Sequence, residues 1–415
     1  MIQTQRCNLE EICDTLQEPN YFQMQHFISD SNWSYQDVID TAAIQTSNSL
    51  RKVKLTGYLI DETGVEKKGD MSVGVGWQHN GNVGKIANSQ VAVMGCLSNG
   101  DFASLVDARL YLPKSWCDDP ERCDIAGIPE EEREFKTKID LAYEMILHQL
   151  ELGTSFDYVG ADGLYGNDYN LARKVDLLGL IYMFDIHSDQ PIYLEKPELV
   201  LPERKGKRGP KPKRLNVREE SKKVSDYISR LTRDEWEEVK VRNTAKGTLK
   251  GQFHFKQVYI WNKDENQIER RLLVVRKLKT KSGVDIKYSF TNADLAQYTT
   301  TALAYMQAQR FFIEHSFKEA KYILGMDQFQ TRKWLAWHHQ IAMNIMTMGF
   351  MLKEKLFNFR DLPLLSARDI KDWLGFILAK ELTEIDMIQL IMNRHRRRQY
   401  AINSCYLKEY ANVSK

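Results

Sequence analysis

The stretch Ala304–Arg332 reads AYMQAQRFFIEHSFKEAKYILGMDQFQTR and has the pattern of an amphipathic helix with a charged stripe. Arg310, Glu314 and Lys321 form a stripe within it, because at about 100° per residue their bearings differ by about 40° at most. A carboxylate between two cations suits a metal-bound phosphodiester site. An ordinary surface ion pair between Arg310 and Glu314 explains the same spacing. An apolar stripe, as on the buried side of an amphipathic helix, runs beside it: Leu303, Met306, Ile313, Phe317 and Leu324.

Length and composition predict a soluble, globular protein. The chain has 415 residues, enough for two or three domains, with 43% hydrophobic and 27% charged residues. The net charge of +2 does not exclude nucleic acid, because binding depends on where charge is placed. We expect no signal peptide, and the most apolar segment, Ile341–Leu352, is too short to span a bilayer. Six scattered cysteines indicate a reducing cytoplasm.

The first half of the chain predicts strands followed by alternating helices and strands, as in a mixed α/β sheet. Val53–Ile60 is predicted as a strand that ends at Asp61, and Phe156–Gly160 as a strand that delivers Asp162. A long charged loop is expected over Tyr111–Arg133. The remaining predicted strands are Ser72–Trp77, Gln90–Leu97, Phe102–Leu110 and Leu180–Ile186, and the helices are Lys136–Leu152 and Asp168–Leu178.

The composition then changes to a basic arm, Arg204–Arg214, which is either a phosphate-binding segment or a solvated linker. A charged helix is predicted over Ser221–Val239. A β-hairpin and a strand follow before the amphipathic helix of the stretch Ala304–Arg332, the key helix. The basic residues Arg394–Arg398 near the end either contact DNA or are solvated. The later predicted elements are strands Phe253–Trp261, Arg271–Lys277 and Tyr288–Thr291 and helices Trp334–Lys353 and Leu382–Met392.

Three carboxylates stand out by their placement: Asp61 and Asp162 at strand ends and Glu314 on a late helix. Neighbouring strand ends in one sheet lie close together, and a helix packed on the sheet can add a third ligand. Hard oxygen ligands of this kind suit Mg²⁺, with Mn²⁺ as a substitute. Glu319 and Glu62 are expected to point elsewhere, by helical and strand geometry respectively. Four other polar residues compete as ligands, and none is placed as well: Asp157, Asp168, His338 and His339.

Blocks of residues in a fixed order resemble the DDE transposases of bacterial insertion sequences. The chain carries Leu59-Ile60-Asp61-Glu62-Thr63-Gly64, Ala161-Asp162-Gly163-Leu164-Tyr165-Gly166 and Trp337-His338-His339. The group's Tyr-x2-Arg-x3-Glu-x6-Lys signature is matched by Arg310, Glu314 and Lys321, with Gln307 in place of the Tyr. Three further blocks complete the resemblance over about residues 20–355: Gly84–Val91, Arg109–Pro113 with Trp116 and Asp118–Pro120, and Val241–Gly247.

The resemblance implies an RNase H-like mixed sheet flanked by helices, with a β-rich insertion and helical terminal segments. It implies a helical N-terminal region at 1–50, a catalytic core at 51–190 and 296–355, an insertion with the basic arm at 191–295 and a helical C-terminal region at 356–415. Asp61, Asp162 and Glu314 would be the catalytic, metal-binding triad. DNA-binding residues would be Arg310, Lys321, Lys85, Arg332 and, in the arm, Arg204, Lys205, Lys207, Arg208, Lys211, Lys213 and Arg214.

The activity so implied is metal-dependent cleavage at transposon ends and transfer of the 3′-hydroxyl into target DNA. Partners would be double-stranded DNA, as terminal inverted repeats and as target, and a second copy of the chain, because two ends must be held together. We expect no membrane partner, and the resemblance implies a bacterial cytoplasmic protein that lies on the nucleoid when it is bound to DNA. Two alternatives stay open from the residues: an RNase H-like nuclease that does not join strands, and a DNA-binding protein that has lost its chemistry.

Overall fold

The computed structural model describes residues 8–16, 21–50, 55–81, 83–202, 214–244, 247–280, 283–329, 331–378 and 383–413. The strands are β1 (Gly57–Glu66), β2 (Gly76–Asn80), β3 (Lys85–Asn99), β4 (Phe102–Leu110), β5 (Tyr158–Ala161), β6 (Ile181–Ile186), β7 (Pro191–Ile192), β8 (Leu199–Val200), β9 (Asn216–Val217), β10 (Lys222–Lys223), β11 (Glu237–Thr244), β12 (Gly247–Asn262), β13 (Gln267–Thr280) and β14 (Gly283–Thr291).

The helices of the described residues are α1 (Leu9–Leu16), α2 (Tyr21–Ser29), α3 (Tyr35–Leu50), α4 (Lys114–Cys117), α5 (Pro120–Ala126), α6 (Lys138–Glu151), α7 (Gly163–Gly166), α8 (Tyr169–Leu177), α9 (Val224–Ile228), α10 (Thr300–Gln309), α11 (Phe311–Tyr322), α12 (Trp334–Phe357), α13 (Ala367–Leu378) and α14 (Glu384–Val413). None of those described is both long enough and apolar enough to cross a bilayer.

One large mixed sheet organises the molecule, in the strand order β11-β12-β13-β14-β6-β5-β1-β3-β2, with β4 also paired to β3. The pairs β1–β5 and β5–β6 are parallel, and the other pairs of this sheet are antiparallel. Strands β11–β14 extend the sheet of the core through the β14–β6 pair. The domain boundaries drawn from the sequence stay a prediction.

The sheet buries two separate apolar clusters, which confirms the predicted α/β class with helices flanking a mixed sheet. One cluster takes side chains from α10, α11 and α12, including Leu303, Ile313 and Ile341. The other takes side chains from α6 and α8, including Met145 and Val175. Burial of the apolar stripe on α10 and α11 is what fixes the polar stripe of these helices against the sheet.

The structure corrects several predicted elements; the strand expected at Ser72–Trp77, for example, is β2 at Gly76–Asn80. The charged segment 221–239 is not one helix: Val224–Ile228 is α-helical, Arg233–Glu235 is a 3-10 turn, and β11 begins at Glu237. The buried residues of β11, Val239 and Val241, alternate with period two, and pairing with β12 outweighs the weak helical pattern. The predicted loop at 111–133 contains the short helices α4 and α5, the second capped by the Asp119 side chain, which accepts from the Arg122 N–H at 3.0 Å.

The key helix is also divided. Helices α10 and α11 meet at Arg310, which caps both of them, so the segment from Leu303 to Leu324 is two helices with a break at the cation of the polar stripe. Arg310 keeps helical backbone angles, with φ −53° and ψ −27°. Arg310, which the polar stripe predicted as a site residue, therefore lies at the junction of the two helices.

We predict that Gly166→Ala destabilises the fold by about 3 kcal/mol, because the new methyl group overpacks a rigid contact. A Cβ at Gly166 would lie 1.9 Å from the backbone oxygen of Asp185, so α7 and β6 have to separate. Urea unfolding followed by circular dichroism measures the loss. Gly81→Ala is the matched control, because a Cβ there meets nothing within 4 Å. Equal stability of the two variants would show that α7 does not need this close approach.

Candidate active site

The site forms where β5 ends beside its parallel neighbour β1. Strand β1 does not end before Asp61, as the sequence suggested, but continues to Glu66 because β3 pairs with it along its whole length. Its other neighbour, β5, ends at Ala161 opposite Ile60. Beyond that point no strand of the described residues pairs with β1 on this side, and the chain after β5 turns into α7. Asp162 caps that helix, its Oδ1 accepting the Leu164 N–H at 2.9 Å.

Three acidic side chains meet in this gap. Asp61, Glu62 and Asp162 each place a carboxylate oxygen within 4.8 Å of the others. The sequence predicted that the Glu62 side chain points away from this group of acids, and that prediction is wrong. The Glu62 carboxylate binds the Lys138 ammonium of α6 at 3.0 Å and accepts from the Tyr165 hydroxyl at 3.3 Å. These partners hold Glu62 at the edge of the sheet, where its side chain reaches the cluster.

The proximity of these acids changes their acidity. Burial raises the pKa of Asp61 to about 8, the charge of Asp162 adds to that rise, and the nearby Arg310 cation opposes it. Burial also raises the pKa of Asp162, with a further contribution from Glu62. Like charges held this close favour uptake of a proton or of a cation. The cluster therefore has the electrostatic character of a cation site.

Arg310 joins Glu314 to the cluster. Its Nη1 lies 3.2 Å from Oδ2 of Asp61, its Nη2 donates to Oε1 of Glu314 at 2.9 Å, and its Nε lies 2.8 Å from Oδ2 of Asp185 on β6. Burial disfavours the charged guanidinium, but the carboxylates of Asp185 and Asp61 outweigh that effect and raise the pKa of Arg310. Glu314 is the most exposed member, with 46% of its side chain accessible.

An open cleft of about 810 Å³ contains the polar stripe and the acids together. Its lining includes Asp61, Asp162, Arg310, Glu314 and Lys321, so the structure brings the predicted triad and both signature cations to one place. The Lys321 ammonium donates to the backbone oxygen of Gly64 at 3.0 Å, and burial lowers its pKa to about 8. The cleft has room for an extended polyanion beside the acids.

The competing acids have structural partners instead. Asp157 accepts the Thr56 N–H at 2.7 Å, and Asp168 caps α8. Glu319 binds the Lys355 ammonium at 2.9 Å. Their sequence positions near strand ends or on the key helix are explained by these contacts.

The two adjacent histidines pack in the core, as the sequence favoured. The His338 ring packs near Tyr35, and its Nδ1 lies 2.9 Å from the Trp334 oxygen. Burial lowers the pKa of His338 to about 3, so the ring is neutral. The His339 ring stacks on Trp33 with ring centres 3.8 Å apart. Both rings fasten α12 to the N-terminal helices and lie outside the acidic cleft.

The predicted DNA-contacting cations are distributed over more than one surface. Lys85 is exposed at the start of β3, where the β2–β3 turn reaches the cleft through Gly81 and Val83. Arg332 lines a different depression, with residues of α1 and α2. Arg214 is exposed. The other arm residues lie outside the described part of the chain: Arg204, Lys205, Lys207, Arg208, Lys211 and Lys213.

Asp185 is the residue that the sequence interpretation missed. It lies inside the predicted strand Leu180–Ile186, in the apolar sequence Tyr182-Met183-Phe184-Asp185-Ile186. A single acid in a buried strand next to the strand that delivers Asp162 was the available signal, because burying a carboxylate requires a partner. That partner, Arg310, is far away along the chain, and the sequence does not pair them.

Comparisons with known proteins agree with this geometry. Residues 1–248 match the family model described as DDE superfamily endonuclease, a range that contains Asp61 and Asp162 and ends before Glu314. A relative from Microchaete diplosiphon, named a probable transposase for insertion sequence element IS701, is 29% identical over 187 residues. The aligned segment covers 44% of this chain and 45% of the relative, so the match spans less than half of that protein's length.

Proposed function

The chain belongs to the DDE superfamily of endonucleases, and from that premise we propose that it is a DNA transposase. In this proposal it cleaves DNA at transposon ends and transfers the resulting 3′-hydroxyl into target DNA by a DDE two-metal mechanism. The observation that carries the proposal is the convergence of Asp61, Asp162 and Glu314 in one cleft with Arg310 and Lys321. The relative named as a probable transposase supports the same function.

The residues fit a divalent metal. Asp61 and Asp162 supply hard oxygen ligands, and Glu314 reaches the same cleft, a donor set that suits Mg²⁺ or Mn²⁺. The raised pKa of Asp61 and Asp162 reflects buried negative charge that a cation would neutralise. When bound, such ions activate the attacking oxygen and stabilise the leaving oxygen of an in-line displacement at phosphorus.

The cations of the cleft would bind and orient the DNA backbone. Arg310 offers a planar fork of donors that matches a phosphate, and Lys321 adds a point charge beside it. Lys85 stands at the rim, and we assign further DNA contacts to Arg332, to Arg214 and to the remaining basic residues of the 204–214 arm. These are sequence-independent phosphate contacts, so binding should weaken steeply with salt.

Transposon ends and target duplex are the proposed partners, bound by a homodimer. The reaction needs two ends in one complex, and a protein dimer is the simplest assembly that supplies two catalytic sites. Mass measurement of the complex on end DNA tests this, and a single protomer per complex would remove the dimer from the proposal.

We predict that the protein joins as well as cuts. A plasmid carrying its gene with flanking DNA is expected to be cleaved at the element's ends in Mg²⁺, and pre-cleaved ends with a free 3′-hydroxyl are expected to insert into a second plasmid. Ends lacking the 3′-hydroxyl are the control and should not insert. Cleavage without insertion would identify a nuclease, and DNA binding with neither reaction would identify a protein that has lost its chemistry.

A further inference from the structure

Three neighbouring parallel strands each carry an aspartate at the same level. In the register of the sheet, Ile60 of β1 lies opposite Ala161 of β5, which lies opposite Phe184 of β6. The residue after each is an aspartate: Asp61, Asp162 and Asp185. Neighbouring strands lie about 4.8 Å apart, so the three side chains form a row across the carboxyl ends of the strands. Asp185 is part of the site's construction, although it was not expected from the sequence.

Arg310 divides its donors between this row and the cleft. Nε lies 2.8 Å from Asp185, whereas the two terminal nitrogens point to Asp61 and to Glu314. Asp61 and Glu314 are proposed metal ligands, and metal requires their oxygens. The Asp185 contact can persist when the other two are given up, because it uses a different nitrogen of the guanidinium.

A hydrogen-bonded series fixes Asp185 itself. Its Oδ1 accepts the Ser289 hydroxyl of β14 at 2.7 Å, and the Ser289 oxygen accepts from Nε2 of Gln307 at 2.8 Å. The same amide nitrogen lies 3.2 Å from the backbone oxygen of Val274 on β13. Gln307 is one helical turn before Arg310 and stands where the family signature has Tyr. The series therefore ties Arg310 to strands β13 and β14.

We propose that Asp185 is a positioning residue that holds the Arg310 guanidinium through Nε, so that its terminal nitrogens turn to a DNA phosphate when metal takes Asp61 and Glu314. Ser289 and Gln307 orient the Asp185 carboxylate for that task. Without the contact to Asp185, the Arg310 guanidinium would stay bound to Asp61 and Glu314 or would have no fixed orientation. The inference rests on the proposed function, since it assigns the phosphate as the group that Arg310 contacts.

The test uses the full chain with Asp185→Asn, and Ser289→Ala as a milder second variant. We expect Asp185→Asn to lower the single-turnover nicking rate of supercoiled plasmid at saturating protein by about tenfold to a hundredfold, because misplacing a binding group is costly in rate. Mn²⁺ affinity, measured by calorimetry, should change less than about threefold, because Asp185 contacts Arg310 and Ser289 and not a proposed ligand, and large losses of affinity follow when a group bonded to a ligand is removed. Ser289→Ala should slow nicking by about threefold to tenfold. Asp294→Asn, which breaks an Arg–Asp contact elsewhere in the protein, is the control and should leave nicking unchanged.

A double-mutant cycle shows whether Asp185 acts through Arg310. In an Arg310→Gln background, Asp185→Asn should reduce nicking by no more than about a further twofold, because the two residues share one role. Additive losses, or loss of Mn²⁺ binding in Asp185→Asn, would overturn the proposal. The same double-mutant cycle can be measured without cleavage, as the affinity of each variant for duplex DNA in Ca²⁺. If the parent chain never nicks DNA, the transposase function is wrong, while this affinity cycle still decides the role of Asp185.

Discussion

Replacing Asp61 with Asn is expected to lower the cleavage rate at least about a thousandfold, and Asp162→Asn should do the same. Each substitution removes a charged oxygen ligand from the gap between β1 and β5 while keeping the size of the side chain. Loss of a catalytic metal removes several kcal/mol of transition-state stabilisation, which corresponds to this factor in rate. Single-turnover cleavage of DNA carrying the element's ends in Mg²⁺ measures it. Cleavage by either variant at the parent rate would show that the residue is not a ligand.

The Asp61→Asn variant also provides its own control for folding. Burial raises the pKa of Asp61 to about 8 in the folded, metal-free chain, well above the ordinary value of 3.8 for an aspartate. Between these values the folded chain holds a proton that the unfolded chain has released, so the free energy of unfolding falls as pH rises through this window. An asparagine amide at this position cannot ionise. We therefore expect Asp61→Asn to be more stable than the parent at pH 8 by at least about 1 kcal/mol in urea unfolding, and the difference to shrink toward about pH 4.

The variant Asp157→Asn is a control for both measurements, because Asp157 is an aspartate at the opposite end of the β1–β5 pair. Asp157 lies just before β5 and binds the backbone of Thr56, so its loss affects the strand's entry without touching the acidic cluster. It should retain cleavage. If Asp61→Asn were less stable than the parent at pH 8, the negative charge of Asp61 would not destabilise the folded chain.

The elements that the sequence predicted well are those whose pattern is local. Strand β4 has the predicted bounds, Phe102–Leu110, because a buried apolar run sits between two turn signals. The polar stripe of Arg310, Glu314 and Lys321 lines one cleft because helical spacing alone aligns it. Predictions failed where the partner strand decides the outcome. Strand β1 runs past Asp61 because β3 pairs with residues as far as Glu66, and no local feature records that pairing.

The site shows the same division between local and long-range information. Asp61 and Asp162 were predicted to meet because carboxyl ends of parallel strands lie together. The approach of Glu62 depends on Lys138 and Tyr165, and the inclusion of Asp185 depends on Arg310. Such ion pairs join segments far apart along the chain, and side-chain direction within a strand does not reveal them. The alternation of side chains along a strand predicted the wrong direction for Glu62, because a long side chain can bend around the sheet where β1 lacks a neighbour among the described strands.

The identity of the third acid gives the sharpest remaining prediction, since two glutamates lie within reach of the aspartates. Glu62 is close to both, but Lys138 at 3.0 Å and Tyr165 at 3.3 Å already bind its carboxylate. Glu314 is held by Arg310 alone among the contacts described, and nearly half of its side chain faces the cleft or solvent. Releasing Glu314 toward a metal breaks one hydrogen bond, whereas releasing Glu62 leaves the partly buried Lys138 ammonium without its carboxylate.

Glu314→Gln is therefore expected to reduce cleavage at least about a hundredfold, whereas Glu62→Gln should reduce it about tenfold or less by loosening α6 and α7. Two measurements on both variants separate the two roles: single-turnover cleavage in Mg²⁺, and calorimetry of Mn²⁺ binding. Loss of a metal ligand lowers both the cleavage rate and the Mn²⁺ affinity, whereas loosening of the helices lowers the rate alone. Glu319→Gln, on the same helix but bound to Lys355, is the matched control and should cleave normally. A reversed order, with Glu62→Gln inactive and Glu314→Gln active, would assign the third ligand to β1 and leave the Arg310–Glu314 contact as a surface ion pair.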